Sequence, residues 1–359
     1  IAASLNAAND EVHIMVIDED GRWTGTPGTV LEKLENLSLA ADAKAEDGTS
    51  AYYLDYVDSK SRYIRWASHA ASTTNAGEKI GDQSAMFFGR PALPIENSLV
   101  GGSNGTTLGN DERIRGYDMF RDNEDVDISL VLGGVLNTTT AIYIINNIVD
   151  QRMDCVLFHS PPLATVVDNE EQEARDCVSY RNTLPSTSYA FLDSGWKLQY
   201  DKFNDRERWI PLNGDIAGLA VRTDNLKDPW WSFAGLNRGL IKNVIKLAWN
   251  PRKADRDILY KAGINPVISK PLIGPVLWGD KTQLAKPSAF DRINVRRLFI
   301  VLRKAISQAA EYTLFEFNDR TTRSQFKNLI DPYLRDVQGR RGIIAYYIKC
   351  DEENNTARV

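Results

Sequence analysis

The chain has 359 residues, 43% of them apolar and 25% charged, with a formal net charge of −5. That length suggests two or three domains, each with its own core. The mild acidity gives no reason to expect nucleic acid or a membrane as a partner, and no run approaches the ~18–20 apolar residues of a membrane helix.

The first residues, IAASLNAANDEVHIMV, lack a basic n-region, an uninterrupted apolar stretch and an initiator Met, so the chain is expected to be part of something longer. Glu11–Asp18 reads as a strand ending in an Asp18–Gly21 turn. Gly25–Leu39 reads as a Gly/Pro turn and then a helix over VLEKLENL. Ser50–Val57 is helical or extended, and Ser61–Ser68 is strand-like. Ala70–Gly109 is rich in Gly, Asn, Ser and Thr and is expected to be a domain junction, the place where conformational change would concentrate.

Asn110–Phe120 reads as a helix. Val126–Gly133 and Asp154–His159 are near-continuous apolar runs, the pattern of strands covered on both faces. Thr138–Gln151 and Glu170–Thr183 read as helices, giving a βαβ rhythm. Ser188–Asp201 reads as a hairpin around Asp193-Ser194-Gly195. Pro211–Thr223, Arg238–Trp249 and Arg252–Lys261 read as helices, and Val267–Trp278 as extended. Arg292–Glu311 has a broad apolar face interrupted by Arg296, Arg297, Arg303 and Lys304. Leu314–Phe317 is short and apolar. Thr322–Asp336 is an amphipathic helix, and Gly342–Cys350 a closing strand. The expected fold is α/β (α+β overall): multi-domain, with a central mixed sheet flanked by helices and a smaller α+β C-terminal domain.

Chemistry is sparse. Gly101–Gly105 has neither the Lys-Ser/Thr of a phosphate loop nor a GxGxxG frame. His159-Ser160 follows a buried strand, as in α/β enzymes, but no GxSxG elbow is present and a double proline follows. Asp193, Asp201, Asp205 and Asp215 do not have calcium-loop spacing and suit turns and caps. Trp196, Tyr200, Phe203, Trp209, Trp230, Trp231 and Phe233 interleave with basic residues, as in a stacking platform for single strands. Alternating Asp and Glu favour packing by rigid aromatics instead. Three scattered cysteines and three scattered histidines argue against a disulfide framework and a zinc site. No cofactor, metal or catalytic residue is expected. Residues 1–60 hold twelve acidic residues against four basic, and 291–350 twelve basic against six acidic.

From Tyr200 onward the sequence resembles a known family. YDKFNDRERWIPLNGDIAGLAVRTDN (Tyr200–Asn225), PWWSFAGLNRGLIKNVIKLA (Pro229–Ala248), LWGDKT (Leu277–Thr282), FDRINVRRLF (Phe290–Phe299) and LFEFNDRTTRSQF (Leu314–Phe326) are similar, in order, to tail sheath proteins of contractile, T-even-like phages. VDISLVLGG (Val126–Gly134) and CVLFHSPP (Cys155–Pro162) sit where that family has its buried strands. The resemblance is strong over Val126–Thr356 and weak before.

It implies a non-enzymatic virion structural protein. The subunit would polymerise with itself as stacked hexameric rings around the inner tail tube and contract to drive the tube through the host envelope. Further implied partners are the tail tube, baseplate and tail terminator proteins, with no nucleic acid and no membrane. Assembly would take place in the host cytoplasm. Residues 1–92 would be the remainder of a middle or outer α/β domain, 93–285 the central sheath domain and 286–359 the tube-proximal one. The N-terminal domain and arm and the last C-terminal arm would be missing. Arg292, Arg296, Arg297, Arg303, Arg320, Arg323 and Lys327 are candidate contacts to the tube or the next subunit. For Arg296 and Arg297, pairing within the subunit is the open alternative. Other possibilities are the sheath of a phage-tail-like bacteriocin or other contractile injection system and, from another class, an α/β hydrolase or nucleotide-binding enzyme.

Overall fold

The computed structural model describes residues 11–38, 43–45, 47–66, 96, 98–102 and 108–355. The chain divides into two compact units, Ile1–Gly105 and Thr106–Val359. Most of the junction expected at Ala70–Gly109, including part of Gly101–Gly105, lies outside the described residues.

In the first unit, β1 (Glu11–Asp18) pairs antiparallel with β2 (Thr29–Ser38), and α1 (Tyr53–Lys60) packs on them. Asp18 closes the connection. Its Oδ2 accepts from the Trp23 and Thr24 amides at 3.0 and 2.8 Å and from the Thr24 hydroxyl at 2.9 Å. The helix expected over VLEKLENL is a strand. Leu34 and Leu37 are three residues apart, a helical spacing, yet both are buried. A register shift opposes Val12 to Leu37 and Ile14 to Leu34. Asn36 absorbs the extra residue in the left-handed region, at φ 57°. Such a bulge lets odd-spaced side chains share one face. Ser61–Trp66 is not a strand, and the rest of that expected run lies outside the described residues.

The second unit is built on a parallel three-stranded sheet, β3-β4-β5. In chain order it opens with α2 (Asn110–Asp118) and β3 (Leu130–Leu132). Then α3 (Thr138–Ile144) continues through a π-helical turn, Ile145–Val149, into α4 (Asp150–Arg152). Next come β4 (Val156–His159), α5 (Glu173–Asn182) and β5 (Ala190–Leu192). All four residues of β4 are buried, because alternate side chains enter cores on opposite faces. Leu157 joins Ile144, Ile148, Cys177 and Tyr180 on one side. Val156 and Phe158 join Phe191, Ile216, Ala220, Ile293 and Ile300 on the other.

The expected hairpin over Ser188–Asp201 does not form. β5 stays in the parallel sheet, and the chain crosses at Asp193–Gly195 into a second, antiparallel sheet ordered β7-β6-β8. Its strands are β6 (Trp196–Asp201), β7 (Arg206–Pro211) and, after α6 (Asn213–Leu226), β8 (Lys246–Leu247). Arg238–Trp249 is not a helix, although Leu240, Ile241, Val244 and Ile245 are spaced like one. Its backbone is used laterally: the Gly235 amide donates to the Leu277 carbonyl, Leu277 to Gly239 and Ile241 to Pro275. Those partners belong to or adjoin the hairpin of β9 (Val267–Lys270) and β10 (Gly274–Leu277), which follows α7 (Lys253–Lys261).

Two long helices, α8 (Ile293–Glu311) and α9 (Arg320–Gly339), close the unit and share a core of Leu298, Leu302, Ile330, Leu334, Val337 and Trp230. Gly342–Cys350 packs Ile343, Tyr346 and Ile348 onto that core. It is not a strand: among the described residues no strand pairs with it. The expected mixed α/β class holds, its strands shared among two three-stranded sheets and two hairpins.

Candidate assembly surface and the buried polar cluster

Among the described residues, the C-terminal ends of β4 and β5 carry the grouping with an enzyme-like cast. Ser160 Oγ donates to Asp193 Oδ2 at 2.6 Å and accepts from both the backbone N–H and the side-chain amide of Asn213 at 3.1 Å. Its donor and both lone pairs are used, and the residue is 2% exposed. Asp193 Oδ1 accepts from the Gly195 amide at 2.8 Å. Burial pushes the Asp193 carboxyl up to about 8, against the hydrogen bonds from Ser160 and Gly195.

His159 is the preceding residue, and its Nε2 meets Gln283 Nε2 at 2.7 Å. Gln283 can only donate there, so the imidazole accepts as a neutral ring. Burial, then the nearby Arg181 charge, push it down to about 3. The Gln283 backbone carbonyl in turn accepts from Arg181, and its backbone N–H donates to the Ala190 carbonyl. The cluster therefore ties β4, β5, α6 and the approach to α8 together. It holds a saturated hydroxyl rather than an activated nucleophile.

The four aspartates considered together are apart in role. Asp215 pairs with Lys197 at 2.9 Å, Asp201 with Arg208 at 2.7 Å, and Asp205 accepts from the Tyr200 hydroxyl at 2.5 Å. The aromatics divide likewise. Phe233 packs with Phe158 and Phe191. Trp196 Nε1 donates to the Pro161 carbonyl and Trp230 Nε1 to the Arg340 carbonyl. Phe203 is exposed.

The basic candidates of α8 and α9 do not form one patch. Arg292 bonds Asp280 at 2.7 Å and the Tyr260 hydroxyl at 2.6 Å. Arg296 lies between rings, 4.2 Å from the Tyr189 centroid and 3.9 Å from that of Phe290. Arg297 is 6% exposed and ion-paired with Asp224 of α6. Arg323 lies 3.8 Å from Glu352, and Lys327 Nζ lies 6.0 Å over Tyr347. Arg303, Arg320 and Lys327 are exposed.

Lys304, noted only as an interruption of the α8 face, reaches Asp127, the Ile128 carbonyl and Ser129 at 2.6, 2.7 and 3.1 Å and ties α8 to the entry of β3. Sequence reasoning also missed a surface cavity of about 210 Å³ beside α6, lined in part by Gly218, Leu219 and Ile241. Its walls come from segments some twenty residues apart, which no local pattern joins. The described residues hold no group of three or more metal-ligating side chains. No described helix is long and apolar enough to cross a membrane.

Residues 115–283 match the family described as phage tail sheath protein central domain, and residues 285–359 the phage tail sheath C-terminal domain. The tail sheath protein of Vibrio phage KVP40 is 45% identical over 280 residues, covering 72% of this chain and 42% of that protein. The tail sheath protein of Enterobacteria phage T4 is 44% identical over 259 residues, covering 68% of this chain and 39% of that protein. The matched stretches thus cover less than half the length of these relatives. The contracted helical sheath of the anti-feeding prophage superposes with a TM-score of 0.55 at 17% identity, covering 71% of this chain and 70% of that one, a likeness of fold.

Proposed function

The chain belongs to the phage tail sheath family, and from that premise we propose that it is a structural subunit of a contractile tail sheath. It polymerises with itself as stacked hexameric rings around an inner tail tube. It is assembled in an extended, metastable state in the host cytoplasm and contracts to drive the tube through the host envelope. Baseplate and tail terminator proteins meet the ends of the polymer. The observation that carries this is the match of two successive sheath domains, in order, over residues 115–359.

Residues 93–285 serve as the central domain, 286–359 as the tube-proximal domain and 1–92 as part of a middle or outer domain. The energy of contraction is stored at assembly, as the free-energy difference between two packings that a barrier keeps apart. The saturated Ser160 hydroxyl supports a structural role for the cluster an enzyme would use. The exposed Arg303, Arg320 and Lys327 are the best placed of the basic residues to meet acidic groups on the tube or a neighbour. Each such pair is weak, ~0.2–1 kcal/mol, and counts through repetition.

The test is helical reconstruction by electron microscopy of the full-length protein assembled with its tube protein. A six-fold helical polymer around the tube is expected. A protein that forms no polymer, or one that excludes the tube, overturns the assignment.

A further inference from the structure

The loop between α8 and α9 ends in an apolar tip that the described residues leave uncovered. Tyr312, Leu314, Phe315 and Phe317 are all exposed, and Phe315 is 105% exposed, so among the described residues its ring lies against nothing. Phe315 also sits at φ 68°, in the left-handed region that a bulky residue rarely adopts. Strain of this kind persists where the surroundings, or a function, demand it. Glu311 and Glu316 flank the tip, and among the described residues neither is ion-paired.

The cavity beside α6 has the complementary character. At about 210 Å³, it is walled by Gly218, Leu219, Leu240 and Ile241, with Asp215, Arg222 and Lys242 completing the lining. A dry cavity of ~150 Å³ is enough to admit benzene, so a phenylalanine ring fits. Asp215 is already engaged by Lys197 at 2.9 Å. Arg222 and Lys242 are exposed and, among the described residues, unpaired. The lining therefore offers positive charge around an apolar floor, where the tip offers negative charge around an aromatic ring.

We propose that the α8–α9 tip of one copy inserts Phe315 into the α6 cavity of a second copy, with Glu311 and Glu316 facing Arg222 and Lys242. This rests on the sheath assignment and names a contact within it. The two surfaces are different patches of one chain, so the contact is heterologous. Such contacts propagate as rings or helices, whereas self-complementary patches close as pairs.

The decisive experiment places the photo-crosslinker p-benzoylphenylalanine at position 315, where full exposure leaves folding undisturbed, and maps the crosslinked peptides in the assembled polymer. Crosslinks between copies into 215–222 or 240–242 are expected. Crosslinks elsewhere on a second copy, onto the tube protein, or none between copies overturn the inference. Gly218→Leu provides an independent arm. A Cβ at that position meets nothing within 4 Å among the described residues, and Gly218 lines the cavity, so the larger side chain has room to occupy it without displacing α6. It is expected to weaken self-association about tenfold, as Phe315→Ser does, and the double variant is no worse than either single one. Assembly of Gly218→Leu at the wild-type concentration overturns the contact. Glu316→Arg is expected to impair assembly, and Arg222→Glu to restore it in part. A wild-type polymer with unmapped crosslinks sinks this contact alone. If the wild type forms no polymer, the sheath assignment and this contact fail together.

Discussion

Arg297 and Asp224 form an ion pair that joins α8 to α6, with the two side chains 7% and 29% exposed. The guanidinium also lies 5.8 Å over the Phe233 ring. Burial raises the Asp224 carboxyl and the Arg297 charge pulls it back, so each partner justifies the other's burial. The pair fastens the C-terminal helices to the face of the parallel sheet through α6.

Removing one half of such a pair strands the other. Arg297→Ala is expected to destabilise the protein by about 3 kcal/mol. Arg303→Ala, at an exposed position of the same helix, is expected to stay within about 0.5 kcal/mol. Urea midpoints at constant slope measure both. Equal shifts in the two variants contradict the structural role assigned to Arg297.

The buried cluster predicts a distinctive pH profile. Asp193 is pushed up to about 8, so the folded state holds a proton that the unfolded state releases above ~4; its contribution is full below pH ~4 and is lost as pH rises towards 8. His159 is pushed down to about 3, so the folded ring stays neutral; its contribution is full above pH ~6.5 and is lost as pH falls. Between pH ~4 and ~6.5 the two slopes oppose each other, and the wild type should show a plateau there and a decline from ~6.5 to ~8. Asp193→Asn should turn the plateau into a rise with pH, and His159→Gln should turn it into a fall. Denaturant titrations across pH 3–9 read all three curves, and parallel curves would dismiss the scheme.

Asn36 holds the bulge that turns an apparent helix into a strand. Its φ of 57° suits Asn and Gly and penalises β-branched residues. Its amide also donates to His13 Nδ1 at 3.0 Å. Asn36→Gly should be nearly neutral, whereas Asn36→Val should cost about 1–3 kcal/mol. Thermal melts of the two variants decide it.

Charge reversal on the α8–α9 hairpin separates the tube role from a solvated face. Arg320→Glu with Lys327→Glu changes two exposed positions. Co-sedimentation of sheath with tube should fall severalfold and become less sensitive to salt. Co-sedimentation equal to wild type removes these residues from the contact.

The parts of the fold legible in the sequence were those whose environment is uniform along the element. DCVLFH reads as a strand buried on both faces because both faces of β4 meet core. The α8 apolar face and the Thr322–Asp336 amphipathic pattern lie within the two helices that form. The misread segments share a different cause. Leu34 and Leu37 are brought to one face by a bulge, and the stretch around Leu240 and Ile241 is held out of a helix by lateral bonds to the β10 region. Neither device leaves a local period.

The candidate residues divide in the same way. That residues 291–350 are basic was plain from composition. That Arg297 spends its charge on Asp224, seventy-three positions away, while Arg303 faces solvent, was not. The sequence by itself determined which stretches become buried strands and amphipathic helices, and which family the chain resembles, because period and ordered motifs are local properties. Only the tertiary structure decided the partner of each backbone group and each charge. Those partners are chosen by contacts far along the chain, and burial then sets whether a charge stays inside the subunit or remains free for a neighbour.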